Sequence, residues 1–403
     1  MNKKLFIFII LYIILLLTIS ILGYIGDNSK EKIDFALKYF NQHDIDIGKA
    51  YSRMGLIPST IYRIISILFL FFLTVKGIHI KLSKKLSKKN NYNFIHIFLS
   101  LFILFSLLAI IRLPFSIFTD FYRKELFGLM NSGLFIWLFR YLSMTIISIF
   151  FISVSISIMS ILVLKTKRYI IHIPILFLII SLFFSVLFPR LIIPLFYDTV
   201  KLSKNELRIK TKRLLKDANI NVKDIYVINK SKYSGVANAY MSGFGPDRKI
   251  YLYDTLLQKF SDDEILSIVG HELCHYIEEH MLIGIILGSF SIILVLLLLE
   301  KLSNYLIMKN LKFLVQPEGH PTLLILMIMI IFVSNPIQNS ISRYMERRAD
   351  IYSINISQQP DIFIKMKTNM AKNNKSHLGV HPVYSWYYHS HPSTLERIKI
   401  ADH

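Results

Sequence analysis

Ser261–His280 reads SDDEILSIVGHELCHYIEEH, and the rest of the chain is best understood outward from it. Ser261-Asp262-Asp263-Glu264 is a capping box, in which a serine at the helix start and a glutamate three residues later satisfy each other's free backbone amides. The helix it starts carries His271-Glu272-Leu273-Cys274-His275, of the form H-E-x-x-H. Positions four apart share one helix face. His271 and His275 are therefore placed to hold one zinc ion, with Glu272 beside them to take a proton from an attacking water. With 13 His in 403 residues, a chance match is expected about 0.01 times, so coincidence is a poor rival. The helix is expected to run straight on into the apolar stretch Met281–Leu299, which ties the motif to a membrane.

The chain is 53% hydrophobic with mean hydropathy +0.48, which excludes an ordinary soluble protein. Runs of about 20 apolar residues read as transmembrane helices. Seven segments qualify: Leu5–Leu22, Ile61–Ile80, Phe94–Leu113, one within Leu134–Leu164, Tyr169–Phe188, Met281–Leu299 and Thr322–Ile341. The last is the weakest, because Ser334-Asn335-Pro336 interrupts it. The first follows Lys3 and Lys4 as a signal peptide would. No A-x-A-like cleavage site follows, so it reads as a retained anchor.

The net charge of +21 raises the question of nucleic acid. Six lysines fall between Lys76 and Lys89, and Lys165-Thr166-Lys167-Arg168 follows another apolar run. Such clusters flanking spans are topology signals and headgroup contacts. No recognition motif accompanies them, so no nucleic-acid partner is expected. A lone cysteine, Cys274, excludes an intrachain disulfide.

Five apolar segments fill residues 1–190, with a mixed-charge segment at 27–57 that reads as an amphipathic helix plus loop. Residues 191–403 hold a soluble stretch and the last two spans, 281–299 and 322–341. Lys201–Ala218 has helical periodicity, with Leu207, Leu214 and Leu215 on one side. Three strand-like runs follow, Asp224–Asn229, Val236–Phe244 and Lys249–Tyr253. Gly243-Phe244-Gly245-Pro246-Asp247 turns between the last two. The fold class is thus mainly α, a multi-pass membrane protein of seven transmembrane helices with a small α+β portion.

Zinc catalysis needs a third protein ligand and one position left for water. Glu346 and Asp350 lie four apart on one helix face after the last span. Glu346 is taken as the third ligand, and Asp350 as an acceptor that orients a ligand imidazole through its other N–H. The bland alternative is an exposed charged face shared with Arg343, Arg347 and Arg348. Further on, His391 and Arg397 suit stabilisation of an oxyanion, whereas His377, His381 and His389 read as surface histidines. His280 falls off the ligand face and reads as interfacial. Val236–Tyr240 reads as an edge strand able to pair with an extended peptide. Cys274 lies off the 271/275 face and reads as a small packing residue. The serines at 148, 153, 155, 157 and 160 suit close helix packing or a wet cavity.

Taken together, His271–His275, Glu346-Arg347-Arg348-Ala349-Asp350, Asn238-Ala239-Tyr240 and Ser390-His391-Pro392-Ser393 with Arg397 resemble the type I CAAX prenyl proteases. Arg112-Leu113-Pro114-Phe115, Arg123–Gly128 and Asp254-Thr255-Leu256-Leu257 extend the likeness over most of residues 100–400. The resemblance implies an integral-membrane zinc metallopeptidase, with seven helices around a water-filled chamber and one Zn²⁺ per chain. It implies that His271, His275 and Glu346 bind zinc, that Glu272 is the general base, and that Asp350 supports a ligand. It further implies that His391 and Arg397 assist the transition state, and that Asn238, with Ala239 and Tyr240, holds substrate backbone. On this account residues 1–190 are the membrane domain and residues 191–403 the metallopeptidase domain. Partners are then a peptide or protein substrate and the lipid bilayer; the oligomeric state is left open. Cys274 stands where the family usually has glycine.

The expected function is membrane-embedded zinc endopeptidase, CAAX-protease-like, acting on membrane-associated or C-terminally lipidated chains. The alternatives are a heat-shock-type membrane quality-control metalloprotease, which has fewer spans, and a non-catalytic scaffold or transporter that retains a metal site. The Ile/Lys/Asn-rich composition points to an AT-rich bacterial genome and a plasma-membrane location. Lysine placement puts the catalytic segment outside, the resemblance puts it in the cytosol, and the side stays open.

Overall fold

The computed structural model describes residues 3–79, 92–187, 193–203, 205–220, 222, 224–243 and 249–402. Most of the basic cluster before Lys89, the end of the fifth segment at Phe188 and turn residues 244–247 lie outside them. Six helices among the described residues are long and apolar enough to cross a membrane: Lys3–Ile25, Gln42–Lys76, Phe94–Leu126, Leu134–Lys165, His280–Ile307 and His320–Ser357. A shorter apolar helix, Tyr169–Leu187, occupies the remaining expected segment. The chain is a multi-pass membrane protein, mainly helical, with one small sheet.

Three boundaries differ from expectation: the motif helix stops at Ile277 instead of running straight into the span that starts at His280, because Glu279 takes a left-handed conformation, and two others have local causes. Asn41 and Asp44 form a capping box that starts a continuous helix at Gln42, so half of the polar 27–57 segment belongs to the second span. The helix His320–Ser357 runs unbroken through Pro336. Proline removes the hydrogen bond to the carbonyl four residues earlier. Here that carbonyl, of Phe332, accepts instead from the Tyr387 hydroxyl, so the helix continues to Glu346 and Asp350. The first helix is packed into the protein: Leu5, Ile9 and Leu16 are fully buried. Ser153, Ser157 and Ser160 are buried as well, as close packing requires.

The sheet has four strands, β1 (Thr199–Lys201), β2 (Asp224–Ile228), β3 (Ala239–Ser242) and β4 (Lys249–Tyr253), in the order β1-β2-β4-β3. β2 and β4 are parallel and the outer pairs antiparallel. β1 is too short to show in the sequence pattern. Successive strand residues face opposite sides. Ile225, Val227, Ile250 and Leu252 bury one face against Ile265, Val269 and Leu273 of the helix Asp262–Ile277. The opposite face carries Tyr226, Tyr251 and Tyr240, stacked with centroids 5.7 and 5.1 Å apart. One apolar strand face thus fixes the helix that bears His271 and His275.

That motif helix also crosses the helix His320–Ser357 closely. Ser353 Oγ donates to the Ser267 carbonyl at 2.7 Å. A Cβ added at Gly270 would lie 3.2 Å from Ile356 Cγ2 and 3.5 Å from Ser353 Cα. Gly270→Val is therefore expected to part the two helices and to destabilise by about 1–3 kcal/mol, read as a lowered unfolding midpoint in detergent. An unchanged midpoint would contradict this tight crossing.

Candidate active site

The crossing brings three candidate ligand residues together from two helices. His271 Nε2 and His275 Nε2 are 3.2 Å apart. Glu346 Oε2 lies 3.3 Å from the first and Glu346 Oε1 3.3 Å from the second. A tetrahedral zinc with Zn–N bonds of about 2.0–2.1 Å places neighbouring donors about 3.3 Å apart, which is the spacing between the two nitrogens and between each nitrogen and its carboxylate oxygen. Buried Glu346 Oε2 accepts no hydrogen bond among the described residues. The donor set, two imidazoles and a carboxylate, is one that zinc favours. The residues fit the ion that the sequence implies.

Asp350, one turn beyond Glu346, is fully buried. Its Oδ1 lies 3.0 Å from His271 Nδ1, an ion-pair contact outside hydrogen-bond geometry; a small turn of the ring would let Nδ1–H donate to it and direct the Nε2 lone pair at the site. Arg397 donates to both Asp350 oxygens at 2.6 and 2.7 Å and reaches Glu346 Oε2 only at 3.5 Å. Lys367 Nζ, from the helix Pro360–Asn374, is 3.1 Å from Asp350 Oδ1. In the sequence Lys367 is one of several lysines on an amphipathic helix, and nothing there marks it as a site residue. Burial pushes its ammonium down to about 8, even though Asp350 favours the charged form. Arg348, two residues beyond Glu346, pairs with Glu278 at 2.5 Å, and Arg343 donates to the His389 carbonyl at 2.6 Å. The exposed-face alternative for Glu346 and Asp350 is therefore set aside: both are buried and turned toward the histidines.

Glu272 forms no hydrogen bond to protein among the described residues and lines a cavity of about 1080 Å³. Burial pushes its carboxyl above the usual carboxylate range, while the nearby histidines oppose the shift. That cavity exceeds the roughly 300–1,000 Å³ of a small-molecule pocket. It extends from His271 and Glu346 past Asn238 to Arg63, Arg112 and Asp120 on the membrane helices. It is a chamber shared by the spans and the motif helix.

The other expected residues fall as follows. His391 Nε2 is 3.2 Å from Glu346 Oε1. His377 and His389, expected on the surface, line the chamber; His381 caps the helix Pro382–Tyr388. Asn238 lies on the chamber wall, just before β3 begins. Ala239 is buried in the core and Tyr240 stacks on Tyr251 on the opposite face of the sheet, as a strand alternates; neither is among the residues lining the chamber. Among the described residues β3 is an edge strand, paired with β4 alone. His280 is not merely interfacial. The motif helix ends at Ile277, Glu279 takes a left-handed conformation (φ 51°), and His280 starts the next helix with Nδ1 2.8 Å from His275 Nδ1.

Residues 201–403 match the family model described as Peptidase family M48. Residues 36–198 match the model for the CAAX prenyl protease N-terminal, five membrane helices. The chain belongs to peptidase family M48. Among relatives of this M48 protein is "Uncharacterized metalloprotease YhfN" of Bacillus subtilis, 32% identical over 234 residues, or 55% of this chain and 53% of that one. The chain thus spans about half the length of that relative. "CAAX prenyl protease 1 homolog" of Arabidopsis thaliana is 28% identical over 301 residues, 72% of this chain and 69% of that one. The crystal structure of S. mikatae Ste24p superposes with a TM-score of 0.84, covering 100% of this chain and 99% of that one at 19% identity. The fold is shared at low sequence identity.

Cys274 sits between the two histidines, fully buried, and burial pushes its thiol up to about 12. It is expected to resist maleimide in the folded protein and to label fully in SDS, as a mass shift would show. Rapid labelling of the folded protein would mean the motif helix is open to solvent on its packed side.

Proposed function

We propose that the protein is a membrane-embedded zinc metalloendopeptidase that hydrolyses peptide bonds of membrane-associated or C-terminally lipidated chains. The observation that carries this reading is the convergence of His271, His275 and Glu346 donors, 3.2–3.3 Å apart, beside a free Glu272 in the wall of a peptide-sized chamber. The metalloprotease and CAAX prenyl protease names of its relatives support it. The many long apolar helices disfavour the heat-shock-type alternative. Glu272 standing free beside the donor triad disfavours a scaffold or transporter.

On this reading His271, His275 and Glu346 hold one zinc ion. When bound, zinc supplies Lewis acidity, lowering the pKa of a coordinated water toward about 7 and polarising a carbonyl. Glu272 takes the proton of the attacking water and returns it to the leaving amine. His391 donates to the developing oxyanion. Asp350 fixes the tautomer of His271, while Arg397 and Lys367 hold Asp350 ionised, so Arg397 assists through Asp350. The free edge of β3 and the Asn238 side chain hold an extended substrate backbone beside the triad. We assign residues 1–190 to the membrane domain and 191–403 to the peptidase domain, and place the protein in a bacterial plasma membrane.

Protein purified in detergent is expected to contain one zinc per chain and to cleave a peptide substrate. Glu272→Gln is expected to keep the zinc and to lose at least 10²-fold in kcat. Glu346→Ala is expected to lose zinc. Undiminished cleavage by Glu272→Gln would overturn the assignment of the base. Chelator-resistant cleavage by protein shown to be free of zinc would overturn the metal assignment.

A further inference from the structure

The second histidine of the motif has a support that no sequence pattern suggested. The Nδ1 atoms of His275 and His280 are 2.8 Å apart. His280 Nε2 lies 3.1 Å from Glu278 Oε2. Glu278 in turn accepts from Arg348 Nε at 2.8 and 2.9 Å and from Nη2 at 2.5 Å. His280 is buried. A left-handed residue at Glu279 separates the motif helix from the next one, and this reversal lets a residue five positions on fold back over His275. Without it, a helix rotating 100° per residue would carry His280 to another face.

We propose that Glu278 and His280 form a relay that positions His275 as a metal ligand. A metal-binding Nε2 must offer a lone pair, so His275 carries its hydrogen on Nδ1. That hydrogen is donated to His280 Nδ1, which must then be unprotonated. His280 therefore bears its hydrogen on Nε2 and donates it to the Glu278 carboxylate. One carboxylate thus fixes both tautomers, and Arg348 fixes the carboxylate with a two-nitrogen clamp. His271 and His275 are supported in parallel, the first by Asp350 directly and the second by Glu278 through His280. Arg348 lies two residues beyond Glu346 on the same helix. That helix supplies the third ligand, the support of the first histidine and the anchor of the second. His280 and Glu278 are positioning residues: they touch no substrate.

The relay rests on the proposed metal site, and its test separates the two. Zinc affinity is measured by chelator competition on full-length protein in detergent, alongside the unfolding midpoint of the zinc-free protein. His280→Ala is expected to weaken zinc binding about 10–100-fold. His280→Gln can accept from His275 with its carbonyl and donate to Glu278 with its amide, and is expected to recover most of the loss. Glu278→Gln is expected to fall between the two, with the midpoint of the zinc-free protein near that of wild type in every case. Wild-type zinc affinity in His280→Ala would overturn the relay while leaving the metal site standing. Equal losses in His280→Ala and His280→Gln, with lowered zinc-free midpoints, would reduce His280 to a packing residue and overturn it too. A wild-type protein that takes up no zinc would overturn the metal site itself.

Discussion

Two imidazole nitrogens held 3.2 Å apart, each 3.3 Å from an oxygen of one buried carboxylate, are the constraint on which the rest of the structure turns. Lone pairs aimed at one another repel, so this arrangement has to be enforced from outside. The enforcement is visible in the packing. Gly270 and the Ser267–Ser353 contact let two helices approach closely, and an apolar sheet face holds one of them in place. Around the donors stand Asp350, Arg397 and Lys367 on one side and His280, Glu278 and Arg348 on the other. Buried charges are tolerable only when paired, and here buried Asp350 and half-buried Glu278 each have a cationic partner.

The membrane helices are part of the site. The helix His320–Ser357 delivers Glu346 and Asp350 only because it survives Pro336, and it does so because Tyr387 takes the carbonyl that proline frees. Arg63, Arg112 and Asp120 bring charge from the spans to the chamber wall. Charged groups at membrane depth are costly unless they face water or one another. A water-accessible chamber is the arrangement that accommodates them and gives a polar peptide a place to enter.

Much of this was legible in the sequence. The capping box at Ser261, the four-residue spacing of His271 and His275 and that of Glu346 and Asp350 are local signals, and local signals survive folding. The seven apolar segments were legible for the same reason, because bilayer thickness sets their length. What was hidden depends on where the chain turns or on what packs against it. His280 became a partner of His275 through a single left-handed residue, Glu279, which no hydropathy pattern announces. Lys367 is one of several lysines on an amphipathic helix until its burial against Asp350 distinguishes it. Asn238, Ala239 and Tyr240 were grouped as one substrate-facing unit. Strand alternation, a rule available from the outset, sends Ala239 into the core and Tyr240 to the tyrosine face; Asn238 reaches the chamber because it precedes the strand, where the alternation has not begun.

The central claim is that two imidazoles and one carboxylate of this chain form a zinc site at the crossing of two helices. X-ray absorption at the zinc edge of the purified protein tests it most directly. The account predicts a first shell of nitrogen and oxygen at about 2.0–2.1 Å with the multiple scattering of two imidazole rings. A sulfur shell at about 2.3 Å would place Cys274 at the metal and contradict the geometry, as would a zinc shell with no imidazole signature.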